Sequence, residues 1–431
     1  MNGDLLTGVA AVLAVLLVLA LRKYPTLGFC LWAFTLCFVP IWVGAGSKVF
    51  LPGLVLLSAL AVVAWAGKPV AGISVVDIVV LVIAVLYGLA FLLGLERISD
   101  GLTLFAYWIL AYVLGRLAPA RISVPVLYRI LVIVFAAVAI LALVEYLRGE
   151  NFFVRLFPSS NAQFMLWGQI QPRGGVLRVE GAFGHSIALG ACLALALPLA
   201  MAAKLPLWIR MLVVSGLLGA AALTFSRIGI ITAVTALVLT VVFLPSGLTA
   251  RNRLAFLALL AGAAAAALPL LTGTFLEAGE EASGSAEYRA DLLGLVPQMR
   301  LLGVADVFQV LPDGTAYFGN FRSIDSALIL LGLSFGLIPL LGVGGLLVGA
   351  VVLVLRRKAT PPTIALVAQL PSFATVALIT QYSFFLWFMC GLAVSTQMIQ
   401  KERKQLVTPE FRTPPAGRID LNRPKQGVSN E

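Results

Sequence analysis

The chain has 431 residues, 61% of them hydrophobic and 11% charged, with a mean hydropathy of +1.04 and a formal charge of +11. A water-soluble domain of this length is excluded, because globular domains carry about 25% charged residues. The basic excess is not a nucleic-acid footprint. Apart from a basic C-terminal tail, the Lys and Arg residues are scattered singly between apolar runs, the pattern of a polytopic membrane protein.

In chain order, the first apolar stretch, 5–21, lacks a basic leader and a small-residue exit, and reads as a transmembrane helix. Further spans are expected at 27–45, 50–66, 75–94, 102–118, 126–147, 183–203, 207–224, 227–244, 254–272, 324–355, 362–380 and 382–399. That makes thirteen, or twelve where the close stretches 27–45 and 50–66, or the last pair across Gln381-Tyr382, count as one. The expected fold class is therefore an all-α polytopic membrane protein, with residues 1–400 as a single transmembrane domain. The 324–355 stretch is too long for a hydrocarbon core of about 30 Å at 1.5 Å per residue. Its first turns are expected to stand above the membrane, with Pro339 bending it.

The tail, 401–431, begins Lys401-Glu402-Arg403-Lys404 and continues rich in Pro, Gly, Asn and Gln, so it reads as disordered and cytoplasmic. The same rule puts Arg356, Arg357, Arg251, Arg253, Lys204, Arg210, Arg116, Arg121 and Lys68 inside. Two segments, 148–182 and 273–323, then fall outside. Within the second, 286–300 has helical periodicity, placing Arg289, Leu293, Val296 and Arg300 on one face until Pro297 kinks or ends the helix. The four cysteines have neither metal-ligand nor disulfide spacing and read as small core hydrophobes.

The polar island 271–325 holds two spacings, Arg289-x-x-x-Leu293 and Asp325-x10-Gly336, where charge beside lipid is expensive. Arg178, in Arg178-Val-Glu-Gly-Ala-Phe-Gly-His-Ser, reads either as a partner of Glu180 or as an anion clamp, with Arg173 close by. A guanidinium matches phosphate oxygens in a fork. Arg227 stands outside in Thr-Phe-Ser-Arg-Ile-Gly, without an acidic sequence neighbour, against the positive-inside trend. Arg289, flanked by Glu287 and Asp291, reads either as a solvated helix face or as a ligand. Arg300 and Arg322 read more simply as solvated charges. Asp325 reads as a helix N-cap shared with Ser323, or as a base. His185, the only histidine, has an unperturbed pKa near neutrality. No P-loop, Rossmann or metal-binding pattern is present, so neither a metal nor a cofactor is expected. Several arginines and one or two bases on one membrane face imply a polyanion, and a lipid pyrophosphate fits.

These elements resemble the O-antigen ligase and polymerase superfamily of bacterial membrane proteins over about Arg178 to Gly336. The shared features are Arg-x-x-Gly from Arg178 to Gly181, the Ser226-to-Gly229 turn, Arg289-x3-Leu293 in a large periplasmic loop, and three spans after it. Where the ligases carry His-x10-Gly, this chain has Asp325, which favours a polymerase-like or divergent member. The resemblance implies a metal-independent GT-C-type glycosyltransferase in the bacterial cytoplasmic membrane. It would polymerise or transfer undecaprenyl-pyrophosphate-linked glycan to a glycan acceptor, in O-antigen, capsule or exopolysaccharide synthesis. Arg178 and Arg289 would clamp pyrophosphate, supported by Arg227, Arg173 and Arg322. Asp325 is the first choice to activate the acceptor and His185 the second. The alternatives are a transporter or flippase of the same lipid, which would want charge near the midplane, and a non-catalytic part of an export complex. Arg178, Arg227, Arg289 and Asp325 are expected to line one outward cavity.

Overall fold

The computed structural model describes residues 3–46, 49–68, 70–170, 172–173, 176–244, 249–259, 261–262, 265, 288, 291–311 and 316–407. These are mostly helical. Three short antiparallel hairpins are present among them, β1–β2 (Gly44–Ala45, Leu51–Pro52), β3–β4 (Pro172–Arg173, Val176–Leu177) and β5–β6 (Phe308–Val310, Ala316–Phe318).

The helices follow the apolar runs: α1 (Gly3–Lys23), α2 (Pro25–Phe38), α3 (Gly53–Trp65), α4 (Val75–Leu92), α5 (Ile98–Arg121), α6 (Val124–Arg148), α7 (Ser186–Ala202), α8 (Leu207–Leu223) and α9 (Arg227–Phe243). After the loop come α10 (Ala327–Phe335), α11 (Leu337–Leu355), α12 (Pro361–Val367), α13 (Leu370–Thr375) and α14 (Thr380–Val407). Among the described residues, α4, α5, α6, α11 and α14 as far as Arg403 are long and apolar enough to cross a membrane. A sixth is added if α1 and α2, bent by 117°, form one span. The shorter apolar helices α3, α7, α8 and α9 run 13 to 17 residues.

α7 is the axis of the bundle. It is apolar all round and buried almost throughout from Ser186 to Met201, which is what such a helix requires. It packs against α6, α8, α9, α12 and α14. A second anchor lies at the end that carries Ser74. There Arg116 donates to Asp77, to the Ser395 hydroxyl and to the Ala71 and Gly72 carbonyls, while Tyr112 also donates to Asp77. A buried arginine is tolerated because its donors are paired.

The breaks differ from those expected. The 324–355 stretch is divided at Gly336, not bent at Pro339. Gly336 has φ +97° and ψ 174°, a region essentially reserved for glycine. The break exists because the preceding loop docks its backbone there. Gly303 N donates to Phe335 O and Ala305 N to Leu333 O, while Leu337 N and Ile338 N donate to Arg300 O and Leu301 O. The 362–380 stretch is likewise not one helix. α12 and α13 are separated at Ala368-Gln369, residues 376–379 lie outside any helix, and α14 begins at Thr380. Gln369 at that break is fully buried and accepts a hydrogen bond from the Tyr382 hydroxyl. Within α5, residues Thr103–Ile109 form π-helical turns, which turns Trp108 onto Ser383 and Trp387.

Candidate functional site

The segment after β4 is clamped by side chains from three parts of the chain. Glu145, 1% exposed near the end of α6, accepts the backbone N–H groups of Glu180 and Gly181, one on each carboxylate oxygen at 3.0 Å. Asn151 donates to Gly181 O and Gln381 donates to Ala182 O. Val179 N donates to Leu223 O at the end of α8. The backbone from Val179 to Ala182 is therefore held in place before any ligand arrives, which is what a precise site needs.

This clamp presents Arg178 and His185. Arg178 is buried, and its Nε donates to the Thr224 carbonyl at 3.2 Å. Thr224 opens the turn that leads to Arg227, so two arginines 49 positions apart in sequence meet at one turn. Arg227 is the first residue of α9, where a cation opposes the helix dipole. The Ser226-Arg227-x-Gly229 pattern has a structural logic as well. Ser226 caps α9 by accepting Gly229 N, and Gly229 lets α9 touch α7, where a Cβ would sit 3.2 Å from the Gly190 Cα.

His185 is the N-cap of α7, its Nδ1 accepting Ile187 N at 3.1 Å. With the Nδ1 lone pair committed to the helix, the ring proton resides on Nε2, so His185 is a hydrogen-bond donor. Arg178 acts on it electrostatically, and Trp167 stands edge-on to its ring.

Asp325 belongs to a second cluster. It does not cap the following helix. Ser326 does, its hydroxyl accepting Ile329 N. Asp325 is exposed, one residue ahead of the cap, and accepts the Ser323 hydroxyl at 3.0 Å. Tyr288 donates to the Ser323 carbonyl and packs edge-on against Phe321. Burial, with the negative charge of Asp325, raises the Tyr288 phenol above its usual range. Arg322 is exposed beside this group. The two clusters are bridged by α13: Ser326 donates to Phe373 O, Ala327 N donates to Val376 O, and Ser372 shares a hydrogen bond with Thr232 of α9. Arg289 lies outside the described residues, and of Arg173 only the backbone, in β3, is described.

Among the described residues, the face of the loop helix that carries Leu293 and Val296 is exposed. Leu292, Leu295 and Met299 are buried, whereas Leu293 is 62% exposed and Val296 40%. Burial continues the row from Tyr288, at i+4, i+7 and i+11. The leucine of Arg289-x3-Leu293 therefore faces away from the loop's small core.

A cavity lies elsewhere. It has a volume of about 620 Å³ and runs between α10, α11, α12 and α14, with Ser74 and Gln397 at one end and Arg97 and Asp100 at the other. None of the described candidate site residues lines it. Arg97 pairs with Asp100 through two donors, at 2.6 and 2.8 Å, and lies over the Phe308 ring at 3.8 Å. Next to it, both carboxyl oxygens of Glu96 are buried without a hydrogen-bond partner. Burial, reinforced by Asp100, pushes this carboxyl up to about 8. Sequence reasoning missed this trio. The available signal was three charges in the six-residue connection from Leu95 to Asp100, between two apolar spans.

Comparison with protein-family models, curated proteins and solved structures yields no match to this chain.

Proposed function

We propose that the chain is a glycosyltransferase of the GT-C type, which polymerises or transfers undecaprenyl-pyrophosphate-linked glycan on the outer face of the bacterial cytoplasmic membrane. In this reading the shorter apolar helices also cross the membrane, giving twelve or thirteen spans, and the tail is cytoplasmic. The observation that carries it is the convergence of Arg178 and Arg227 on one turn, held by the Glu145–Asn151–Gln381 clamp. Two arginines at one turn of a rigid, largely buried frame suit a diphosphate, whose charge grows as it leaves.

The reaction balances simply. An acceptor sugar hydroxyl forms a bond to the anomeric carbon, the bond from that carbon to the pyrophosphate oxygen breaks, and lipid pyrophosphate departs with the electron pair. The hydroxyl proton needs an acceptor. Asp325 is the residue assigned to it, with Tyr288 and Ser323 orienting that end of the site. His185, as an Nε2–H donor, serves the anion instead. Arg289 is assigned to the pyrophosphate by its motif, with Arg173 and Arg322 supporting.

The flippase reading wants charge near the midplane, and the cavity between α10, α11, α12 and α14 is lined mostly by apolar residues such as Leu331, Leu346 and Trp387. The test is purified protein with a lipid-pyrophosphate oligosaccharide and a chelator. Glycan elongation is expected, falling roughly 10²- to 10³-fold in Arg178→Ala or Arg227→Ala. Full turnover in both variants, or movement of intact donor with no new glycosidic bond, would remove this reading.

A further inference from the structure

We infer that the loop strip Leu293, Val296 and Leu301 is set into the bilayer leaflet on the loop's side of the membrane. Its partner is the bulk phospholipid, at the start of the acyl chains just below the headgroups. The sequence alone puts this strip in a segment outside the membrane. Three observations set it lower.

The first is height. Leu301 O accepts Ile338 N, in the first turn of α11, and Val304 N donates to Leu95 O, just past the end of α4. Leu95 N donates back to Ala90 O, so the chain has not risen away from α4 before it meets the loop. α4 has 18 residues and α11 has 19, about 27–28 Å at 1.5 Å per residue. That is close to a hydrocarbon core of about 30 Å. Helices of this length end where hydrocarbon meets headgroups, and residues 301–304 are fastened to one end of each.

The second is the pattern of burial. The 3-10 helix Leu293–Gln298 turns Leu295 into the small core of the loop, together with the flanking Leu292 and Met299. Leu293 and Val296, three residues apart and so on one side of a 3-10 turn, face the other way. Leu301 follows them at 69% exposed. The segment is thus apolar on both faces, and only one face is covered by the loop. Asp291 and Gln298 are exposed beside the strip, which suits the interfacial zone and not the hydrocarbon centre. Arg300 is paired with Asp306, so it does not bring a lone charge to the lipid.

The third is continuity. Leu92, Leu93 and Ile98, where α4 passes into α5, are exposed, as are Ile338 and Leu341 at the start of α11. α4, α5 and α11 are long and apolar enough to cross a membrane, so these side chains face acyl chains. Leu301 is hydrogen-bonded between the two sets and extends the same apolar surface onto the loop. The leucine of Arg289-x3-Leu293 then has a role of its own, holding the loop at headgroup height. This inference does not rest on the glycan-transfer reading.

The test uses the full chain in phosphatidylcholine nanodiscs, one copy per disc, with an environment-sensitive fluorophore on Leu293→Cys, Val296→Cys or Leu301→Cys. Gln309→Cys, exposed on β5, is the aqueous reference, and labelled wild type gives the background of the native cysteines. Emission at 293, 296 and 301 is expected to shift to the blue of that at 309. It should be quenched by phosphatidylcholine carrying a nitroxide near the head of its acyl chain, and not by iodide. Water-like emission with iodide quenching at the three positions would overturn the proposal. So would protection from both quenchers, which would mean that another part of this chain covers the strip. A second reading needs no variant to fold. Phosphatidylcholine with a photoreactive acyl chain is expected to label wild-type peptides within 291–301 as well as α4 and α11. Label on α4 and α11 with none in 291–301 would overturn the proposal.

Discussion

Replacing Gly336 by alanine tests how the loop is fastened to the membrane helices. The added Cβ would lie 2.7 Å from Leu301 O and 2.7 Å from the Leu302 Cα, both backbone atoms that cannot rotate away. An L-residue at φ +97° also meets intrinsic strain of about 1–3 kcal/mol. If the loop yields instead, the four backbone hydrogen bonds joining 300–305 to 333–338 loosen, at about 1 kcal/mol each. Either route raises the local opening equilibrium by roughly 3 kcal/mol, a factor of about 10². Hydrogen exchange at the Gly303, Ala305, Leu337 and Ile338 amides in detergent reads this directly, with the α7 amides as an internal reference. Acceleration confined to the first set is the expected result. Unchanged exchange at all four amides in Gly336→Ala would refute the view that the loop is seated in the helix break.

Three further outcomes are expected. Glu145→Ala leaves two buried N–H groups without acceptors, at about 1–3 kcal/mol each, and should lower the melting temperature by several degrees; an unchanged melting curve would mean that the clamp is dispensable. Glu96, raised by burial from its ordinary 4.5 to about 8, makes the folded state hold a proton that the unfolded chain has lost, so stability should fall as pH rises from about 5 to about 8. Melting scans across that range should show the slope in the wild type and lose it in Glu96→Gln. His185→Asn keeps an N-cap acceptor, so α7 should remain intact; transfer at the wild-type rate would confine His185 to capping, whereas a drop of about tenfold or more would assign its Nε2–H to the substrate.

Much of the bundle is legible in the sequence, because each long apolar run must satisfy its own backbone in lipid and therefore becomes a helix. The runs 75–94, 126–147 and 207–224 appear as helices within a residue or two of those bounds. The breaks are not legible in this way. Gly336 divides a run of apolar residues because a distant loop inserts its carbonyls there, and nothing within that run records the loop's position. The break at Ala368-Gln369 depends similarly on Tyr382 supplying a partner for Gln369. Candidate residues divide along the same line. Arg178 and Arg227 stand out by charge in an apolar context, and the fold brings them to one turn. Asp325 stands just ahead of α10, and its segment is linked to α9 through α13. Arg97 carries the same kind of signal, one of three charges between two apolar runs, and in the fold it forms a local pair with Asp100.

The Asp325-x10-Gly336 spacing therefore combines two different requirements. Its glycine half belongs to the fold: position 336 must admit the loop backbone and break the helix between α10 and α11. Its other half is a length. From the Ser326 cap to Gly336 lies one nine-residue helix, about 14 Å long, so residue 325 is held at a fixed reach from the break. The arm is stiff because its first residue is tied to α13 and its last to the loop. A fixed interval can thus persist around either an aspartate or a histidine, since the interval measures the arm and not the chemistry at its tip. What residue 325 does then depends on what the tip meets. Here the tip meets Ser323 and, one step further along the Ser323 carbonyl, Tyr288, the chain neighbour of Arg289. Those contacts tie Asp325 to Tyr288 of the loop through Ser323.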